Sequence, residues 1–397
     1  MRLAVGCDKI RDMKKYLERE LGGKIVQWAR QYPVVTLTGP RQSGKTTLVK
    51  SLFPKYAYVN LENPVERDYA ESDPVAFFGQ FRRGVIIDEI QRVPALLSHV
   101  QSIVDESPDE HGRFILTGGQ NLQLMKGVSQ SLAGRTAIGS LLPFSLSEIG
   151  GGSNLWKTLW QGFFPRIFHD NLDPTEALAF YTATYLERDV RELVRVKDLS
   201  RFSQFLRLCA GRTGQLMNAA NLASDSGIAG KTALEWISIL EASYIVRRLP
   251  PWFANVSKRL SKTPKMYFLD TGLVCYLLGI GSPDQLASHP LRGAIFETFV
   301  MTEFWKHYAN RGVVDRLSHY RDGAQREIDL VDEGRSGNLL VEIKSGQTPN
   351  LEWGETLRRI SDMFPNASQL CVVYGGAKEQ LRSGVRFVPW RNIGSLL

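Results

Sequence analysis

Four short apolar runs recur along the first third of the chain: PVVTLTG at 33–39, YAYVNLE at 56–62, GVIIDEI at 84–90 and RFILTG at 113–118. Each is β-branched or aromatic, about five to seven residues long and bounded by turn residues, the signature of a strand. KTTLVKSLF and PALLSHVQSIVDE lie between them with apolar groups at helical spacing. Strands alternating with helices predict a parallel sheet covered on both faces. The segment KYLERELGGKIVQWARQY predicts a helical preface within residues 1–32. After Gly150 the pattern changes to mostly helical, and TEALAFYTATYLERDVRELVRV reads as one long amphipathic helix. From about 215 to 250, LMNAANLAS, a turn at DSGIA, KTALEWISILEAS and the strand-like YIVRRL outline a helix-turn-helix with a strand behind it. A basic, turn-rich stretch, SKRLSKTPK, follows. From 265 onward a second α/β pattern runs through AIFETFVMTEFWKHYANR, RLSHYRDG, REIDLVDE, NLLVEIKS, EWGETLRRISDMF and QLCVVYG. The expected divisions are 1–150, 151–200, 201–262 and 263–397.

With 397 residues, 43% hydrophobic and 23% charged, the chain has material for several packed cores. No window approaches a membrane span of about 18 apolar residues, and the charged N-terminus has no apolar signal core. Cys7, Cys209, Cys275 and Cys371 are scattered singly, without zinc-site or bridge spacing; a reducing cytoplasm is the expected setting. A net charge of +8 permits a polyanionic partner.

The chemistry concentrates in two places. Residues 39–46, GPRQSGKT, are a full G-x-x-x-x-G-K-[ST] loop between a predicted strand and a predicted helix. Gly39, Pro40, Arg41, Gln42, Ser43, Gly44, Lys45, Thr46 and Thr47 are the expected nucleotide-binding residues. Their backbone amides and the new helix's positive end would cradle phosphate. Lys45 would reach the β- and γ-phosphates, and Thr46 would offer its hydroxyl to Mg²⁺. In VIIDEIQ, Asp88 emerges at a strand's C-terminal end to hold Mg²⁺, directly or through water, and Glu89 to polarise the attacking water. Thr117, Gln120 or Asn121 would sense the γ-phosphate. Arg135 of SLAGR is a candidate to reach a neighbouring subunit's γ-phosphate, so a homo-oligomer is expected.

GPRQSGKTTL, IIDEIQRVPALL, FILTGGQN and SLAGR together resemble a prokaryotic family of AAA-type ATPases whose C-terminal domain has long been of unknown function. GFFPRI and YLERDV are similar to further motifs of that family. The resemblance covers nearly the whole chain. It implies an α/β protein: a P-loop AAA-like ATPase core with a five-stranded sheet, a helical extension, a winged helix and a restriction-endonuclease-like tail. The family often has Ser where Gly119 stands, so a polar sensor contact is lost there.

The second constellation lies in REIDLVDE and VEIKS. An Asp, about a dozen residues, then Glu-x-Lys on a strand is the core of the PD-(D/E)XK nuclease pattern. Glu342 and Lys344, two apart, share one face of a strand, and Asp329 on the preceding strand meets Glu342 across a hairpin. Glu297 on the preceding helix adds a third acid. Glu297, Asp329 and Glu342 would bind Mg²⁺ because three gathered acids repel and Lys344 alone does not offset them. Gly230, Lys231 and Thr232 open a candidate recognition helix, while Leu234, Trp236, Ile237 and Leu240 on it look like core. Lys258, Arg259, Lys262 and Lys265 would meet DNA phosphates. Three functions remain open at this level: an ATPase acting on DNA with Mg²⁺-dependent cleavage, a remodelling motor whose tail only grips, or an ATP-dependent switch with an inactive nuclease-like fold.

Overall fold

The computed structural model describes residues 17–119, 128, 130–186, 199–253, 262–334, 337–364 and 367–397. Its first sheet contains β1 Val34–Thr38, β2 Ala57–Asn60, β3 Val85–Asp88, β4 Phe114–Thr117 and β5 Thr136–Ser140. All pairings are parallel, in the order β2-β3-β4-β1-β5. Every position of β1, β3 and β4 is buried, which is why these strands read as unbroken Val/Ile/Leu runs. The edge strand β5, TAIGS, alternates in exposure and carries a glycine, so it gave no pattern of its own. Two helices between β2 and β3 were also unsignalled by periodicity. Pro64–Ser72 and Pro74–Gly79 are set instead by Asn63 and Asp73, whose side chains accept from Val65 N and Ala76 N ahead of a first-turn proline.

A helical segment follows: Leu155–Gln161, Pro165–His169 and Pro174–Tyr181. The long helix expected over 175–196 does not continue regularly, because Thr182–Leu186 is wound as a π-helical turn. Residues 187–198 lie outside the described ones.

Next come the helices Leu199–Ala210, Ala219–Ser226 and Gly230–Ala242, with a small antiparallel sheet of β6 Gln215–Leu216, β7 Val246–Leu249 and β8 Lys265–Phe268 in the order β6-β8-β7. Asn218 caps the second of these helices and Gly227 ends it, as the turn residues required. Trp236, Ile237 and Leu240 are buried as expected, but Leu234 is 50% exposed. Its side chain falls outside the apolar stripe of that helix. β8, expected to open the tail at 263, instead pairs into this small sheet.

The tail sheet holds β9 Leu317–Arg321, β10 Glu327–Gly334, β11 Gly337–Lys344, β12 Ala367–Tyr374, β13 Gln380–Arg382 and β14 Val385–Pro389, in the order β13-β14-β12-β11-β10-β9. The stretch EWGETLRRISDMF forms only the short helix Glu355–Ile360 between two 3-10 turns. Helix Arg292–Arg311 joins the parts. One apolar core runs without a break from Leu142 to Ile393. Close packing also explains Gly162, which has φ 70° and ψ −160° at the end of Leu155–Gln161. A Cβ there would lie 2.5 Å from Asp270 Oδ1 and 2.9 Å from the Gly272 backbone. Asp270 is buried and accepts from Phe163 N at 2.7 Å and Leu273 N at 2.8 Å, so this turn ties the helical segment to helix Thr271–Leu277. Gly162→Ala should therefore cost about 2–4 kcal/mol, read as a fall in chemical-denaturation midpoint. Gly23→Ala, on an exposed helical site with open space around it, should be neutral or stabilise by about 0.5–1 kcal/mol.

Candidate functional site

The loop after β1 opens on Gly39, at φ 143°, where a Cβ would meet Leu141 O at 2.2 Å. Only glycine allows that approach. Gln42 and Gly44 also take positive φ, curling the loop into the start of helix Lys45–Leu52. Lys45 is buried and its Nζ donates to Gly39 O at 3.0 Å and Pro40 O at 2.8 Å. The ammonium is thus held at the loop's centre by carbonyls that phosphate oxygens would replace. Ser43 Oγ is buried with no hydrogen-bond partner.

Asp88 ends β3, separated from β1 by β4, and three groups converge on its carboxylate. Thr46 Oγ1 donates to Oδ2 at 2.7 Å, Tyr58 OH to Oδ2 at 3.0 Å, and Thr117 Oγ1 to Oδ1. The Thr46 hydroxyl and Asp88 carboxylate form an oxygen donor pair that fits Mg²⁺. Thr117 orients Asp88 here. Gln120 and Asn121 lie outside the described residues. Glu89 stands next to Asp88 in the left-handed region, φ 58°, which turns its side chain from the strand toward the loop. Gln91 Nε2 donates to its Oε2. Burial raises the Glu89 pKa, opposed by the charge of Lys45, the direction that suits a group handling a water proton near neutral pH. Gly119 lies alongside: a Cβ there would sit 3.8 Å from Glu89 Oε1, so a serine hydroxyl at this position would have adjoined the carboxylate.

Lys45, Thr46, Tyr58, Asp88 and Glu89 line a cavity of about 940 Å³. Its other wall was not anticipated. Arg19 donates from Nη1 to Ser43 O at 2.7 Å, from Nη2 to Leu142 O at 2.6 Å and from Nε to Glu148 at 3.0 Å, bracing the loop from beneath. Phe144, Arg166 and Phe168 also face the cavity. A charged residue inside an apparently amphipathic preface gave no hint of this role. Tyr244, in the left-handed region at φ 58°, links this site to the small sheet. Its hydroxyl lies 2.7 Å from Thr38 Oγ1, one residue before the loop, and 3.2 Å from Ser140 Oγ.

Arg135 is not at this chain's own nucleotide crevice. β5 runs parallel to β1 with Val34 opposite Thr136 and Thr38 opposite Ser140, so Arg135 precedes the strand at the sheet's far end, roughly 20 Å from the loop along the strand direction. There it is held by both oxygens of Asp105, at 2.5 and 2.9 Å.

The second constellation assembles with one unforeseen member. β10 and β11 pair with Leu330 opposite Val341, a register that brings Asp329 and Glu342 opposite each other. Asp329 Oδ2 accepts from Ile343 N at 2.8 Å. Lys344 Nζ meets Glu342 Oε1 at 2.6 Å, as strand periodicity requires. Glu297 faces the same cluster from helix Arg292–Arg311. Burial, then the Asp329 charge, pushes Glu297 up to about 7 and Glu342 up to about 8. The expectation that Lys265 meets DNA phosphate is overturned. Lys265 is 4% exposed and its Nζ lies 2.6 Å from Glu327, 3.0 Å from Glu297 and 3.7 Å from Asp329. Lys262 is exposed, and Lys258 and Arg259 lie outside the described residues. The charge argument for an obligatory metal also fails, since Lys265 supplies the second cation. Among the described residues no group of three or more His, Cys, Asp or Glu is arranged as the ligand set of a metal ion.

Residues 31–150 match the family model of an AAA domain. Residues 152–284 and 292–393 match two domains of unknown function, DUF8612 and DUF4143. Over 365 residues the chain is 34% identical to the uncharacterized proteins Rv2008c of Mycobacterium tuberculosis and Mb2031c of Mycobacterium bovis, covering 90% of this chain and 80% of each relative. The chain belongs to their family, prokaryotic AAA-type ATPases. Among solved structures, the Walker-type ATPase PABY2304 of Pyrococcus abyssi aligns with a TM-score of 0.45 at 13% identity, covering 67% of this chain and 97% of that one. The AAA match includes every member of the loop and the Asp88–Glu89 pair.

For this AAA-type site, Lys45→Ala should weaken ATP binding by about tenfold or more, the loss of charged contacts to phosphate. Glu89→Gln should retain nucleotide binding and lower turnover by about 100-fold or more. Fluorescent-nucleotide titration and phosphate release separate the two. Normal turnover in Glu89→Gln would remove Glu89 from the mechanism.

Proposed function

We propose that the chain hydrolyses ATP at the Lys45–Asp88–Glu89 crevice and uses the cycle to act on DNA through residues 199–268. The observation that carries the first half is the convergence of Thr46, Tyr58 and Thr117 on Asp88 beside a half-buried Glu89. Lys45 and the loop amides bind and orient the phosphates, and Glu89 positions the attacking water. Mg²⁺, held by Thr46 and Asp88, would neutralise charge developing on the phosphate oxygens.

The DNA half is supported by the +8 net charge and by element order: helix, short strand, two helices, then two antiparallel strands, the succession of a winged helix. Lys231 is exposed at the start of helix Gly230–Ala242, where a recognition helix contacts its groove. Tyr244, between this unit and Thr38, is the route by which the loop's state would reach it. For the tail, Lys265 among the acids favours gripping or signalling over cutting. Cys209, Cys275 and Cys371 are buried free thiols, and no described helix is long and apolar enough to cross a membrane. The free thiols accord with the cytoplasmic setting proposed here.

If the module binds DNA, duplex affinity measured by anisotropy should fall steeply with added salt, and Lys231→Ala should weaken it at every sequence tested. Binding that is absent at low salt would leave the switch reading in its place.

Arg135 accords with a homo-oligomer in which it serves the neighbouring subunit's nucleotide, because its own lies across the sheet. ATPase rate per chain should then rise with protein concentration, and mixing Arg135→Ala with Glu89→Gln chains should restore some turnover. A rate that stays flat on dilution, with no rescue on mixing, would make Arg135 a structural partner of Asp105.

A further inference from the structure

We infer that the resident cation of the tail's acidic cluster is the ammonium of Lys265, which holds the place a divalent metal takes in sites of this pattern. The inference goes beyond the ATP reading and is independent of it. Lys265 does not come from the tail. It is carried on β8 of the small sheet, and it enters the cluster from outside the sheet that bears Asp329 and Glu342.

Each of the four carboxylates a metal would need already has an oxygen engaged. Glu297 Oε1 accepts from Lys265 Nζ at 3.0 Å and from Tyr267 OH at 2.5 Å. Glu327 Oε1 lies 2.6 Å from the same ammonium. Asp329 has Oδ1 toward Lys265 at 3.7 Å and Oδ2 bonded to Ile343 N. Glu342 Oε1 is taken by Lys344, leaving Oε2 buried without a partner. A divalent ion with oxygen ligands at roughly 2.0–2.6 Å would have to displace an ammonium that is tethered, buried and already dehydrated. A tethered competitor acts at the high local concentration its linkage imposes. Lys265 and Tyr267, alternate residues of one strand, both point to the cluster face and fix Glu297 between them. Lys265 is therefore a built-in counter-ion, and the cluster is a latent divalent-cation site that it keeps closed.

The test is manganese binding to the full-length, nucleotide-free protein, read by calorimetry and by the electron-spin signal of free Mn²⁺. The wild type should bind Mn²⁺ only weakly at this cluster. Lys265→Met, which keeps an unbranched side chain one atom shorter and removes the charge, should gain one site more than about tenfold tighter, lost again when Asp329→Asn is added. Lys265→Arg should behave as the wild type. If Lys265→Met is unstable alone, folding restored by Mn²⁺ reads the same gain. Should it fail to fold in either condition, Lys265→Met/Glu297→Gln removes one acid together with the ammonium, and a new Mn²⁺ site in it supports the assignment. Tight Mn²⁺ binding by the wild type that Asp329→Asn abolishes would overturn it. So would a folded Lys265→Met or double variant that gains no site. Because no nucleotide is present, a failed ATPase assay would leave these outcomes unchanged.

Discussion

Burial of helix Arg292–Arg311 is the constraint on which the architecture rests. Twelve of its twenty residues are buried, so it has no solvent face along most of its length and must be enclosed on every side. Its neighbours come from every part of the chain: helix Leu21–Ala29, β5, helix Leu155–Gln161, β8 and β11. Even its charges are internal. Glu303 and Lys306, 3% and 1% exposed, pair at 2.8 Å, and Glu303 also accepts from Leu146 N at 2.8 Å. A buried pair is tolerated only when its remaining hydrogen-bonding capacity is met, and here the Leu146 amide and the Phe163 ring beneath Lys306 meet it. The ATPase sheet, the small sheet and the tail are consequently parts of one packed body.

That enclosure gives the two chemical sites different characters. The nucleotide crevice lies at the C-terminal ends of parallel strands, where the chain must turn and the backbone amides are unpaired. Its acids are oriented by hydroxyls and stay accessible from a large cavity. The tail cluster lies where the long helix, β8 and the β10–β11 hairpin meet. Its acids, apart from a partly exposed Glu327, are largely enclosed and are matched by lysines from two different sheets. Burial raises carboxyl pKa values in both places, and the first also faces a cavity of about 940 Å³.

Tyr244 and Lys265 make the small sheet the common neighbour of both sites. Ile245 and Leu269 are joined by a backbone hydrogen bond of 3.0 Å, and β7 and β8 pair between them. One end of this unit reaches Thr38, and the other places an ammonium among the tail's acids. A displacement of the small sheet would disturb both contacts at once.

The phosphate loop, the Asp88–Glu89 pair and the alternating strands of the first sheet were legible in the sequence because each depends on local rules: glycine φ values, a buried apolar run, and acids at a strand end. The helix-turn-helix outline and the Glu342–Lys344 pairing were legible for the same reason, since caps and two-residue periodicity act within a few positions. What only the tertiary structure decided involves residues whose partners lie far along the chain. Lys265 looked like one more lysine in a basic stretch and Leu234 like core, and nothing local marked Arg19. The distance of Arg135 from its own chain's phosphate loop was set by the β1–β5 register. Local sequence specifies the backbone path and side-chain periodicity. A charge's role depends on which distant groups surround it after burial, because its energy is set by solvent exclusion and by partners brought within a few ångströms.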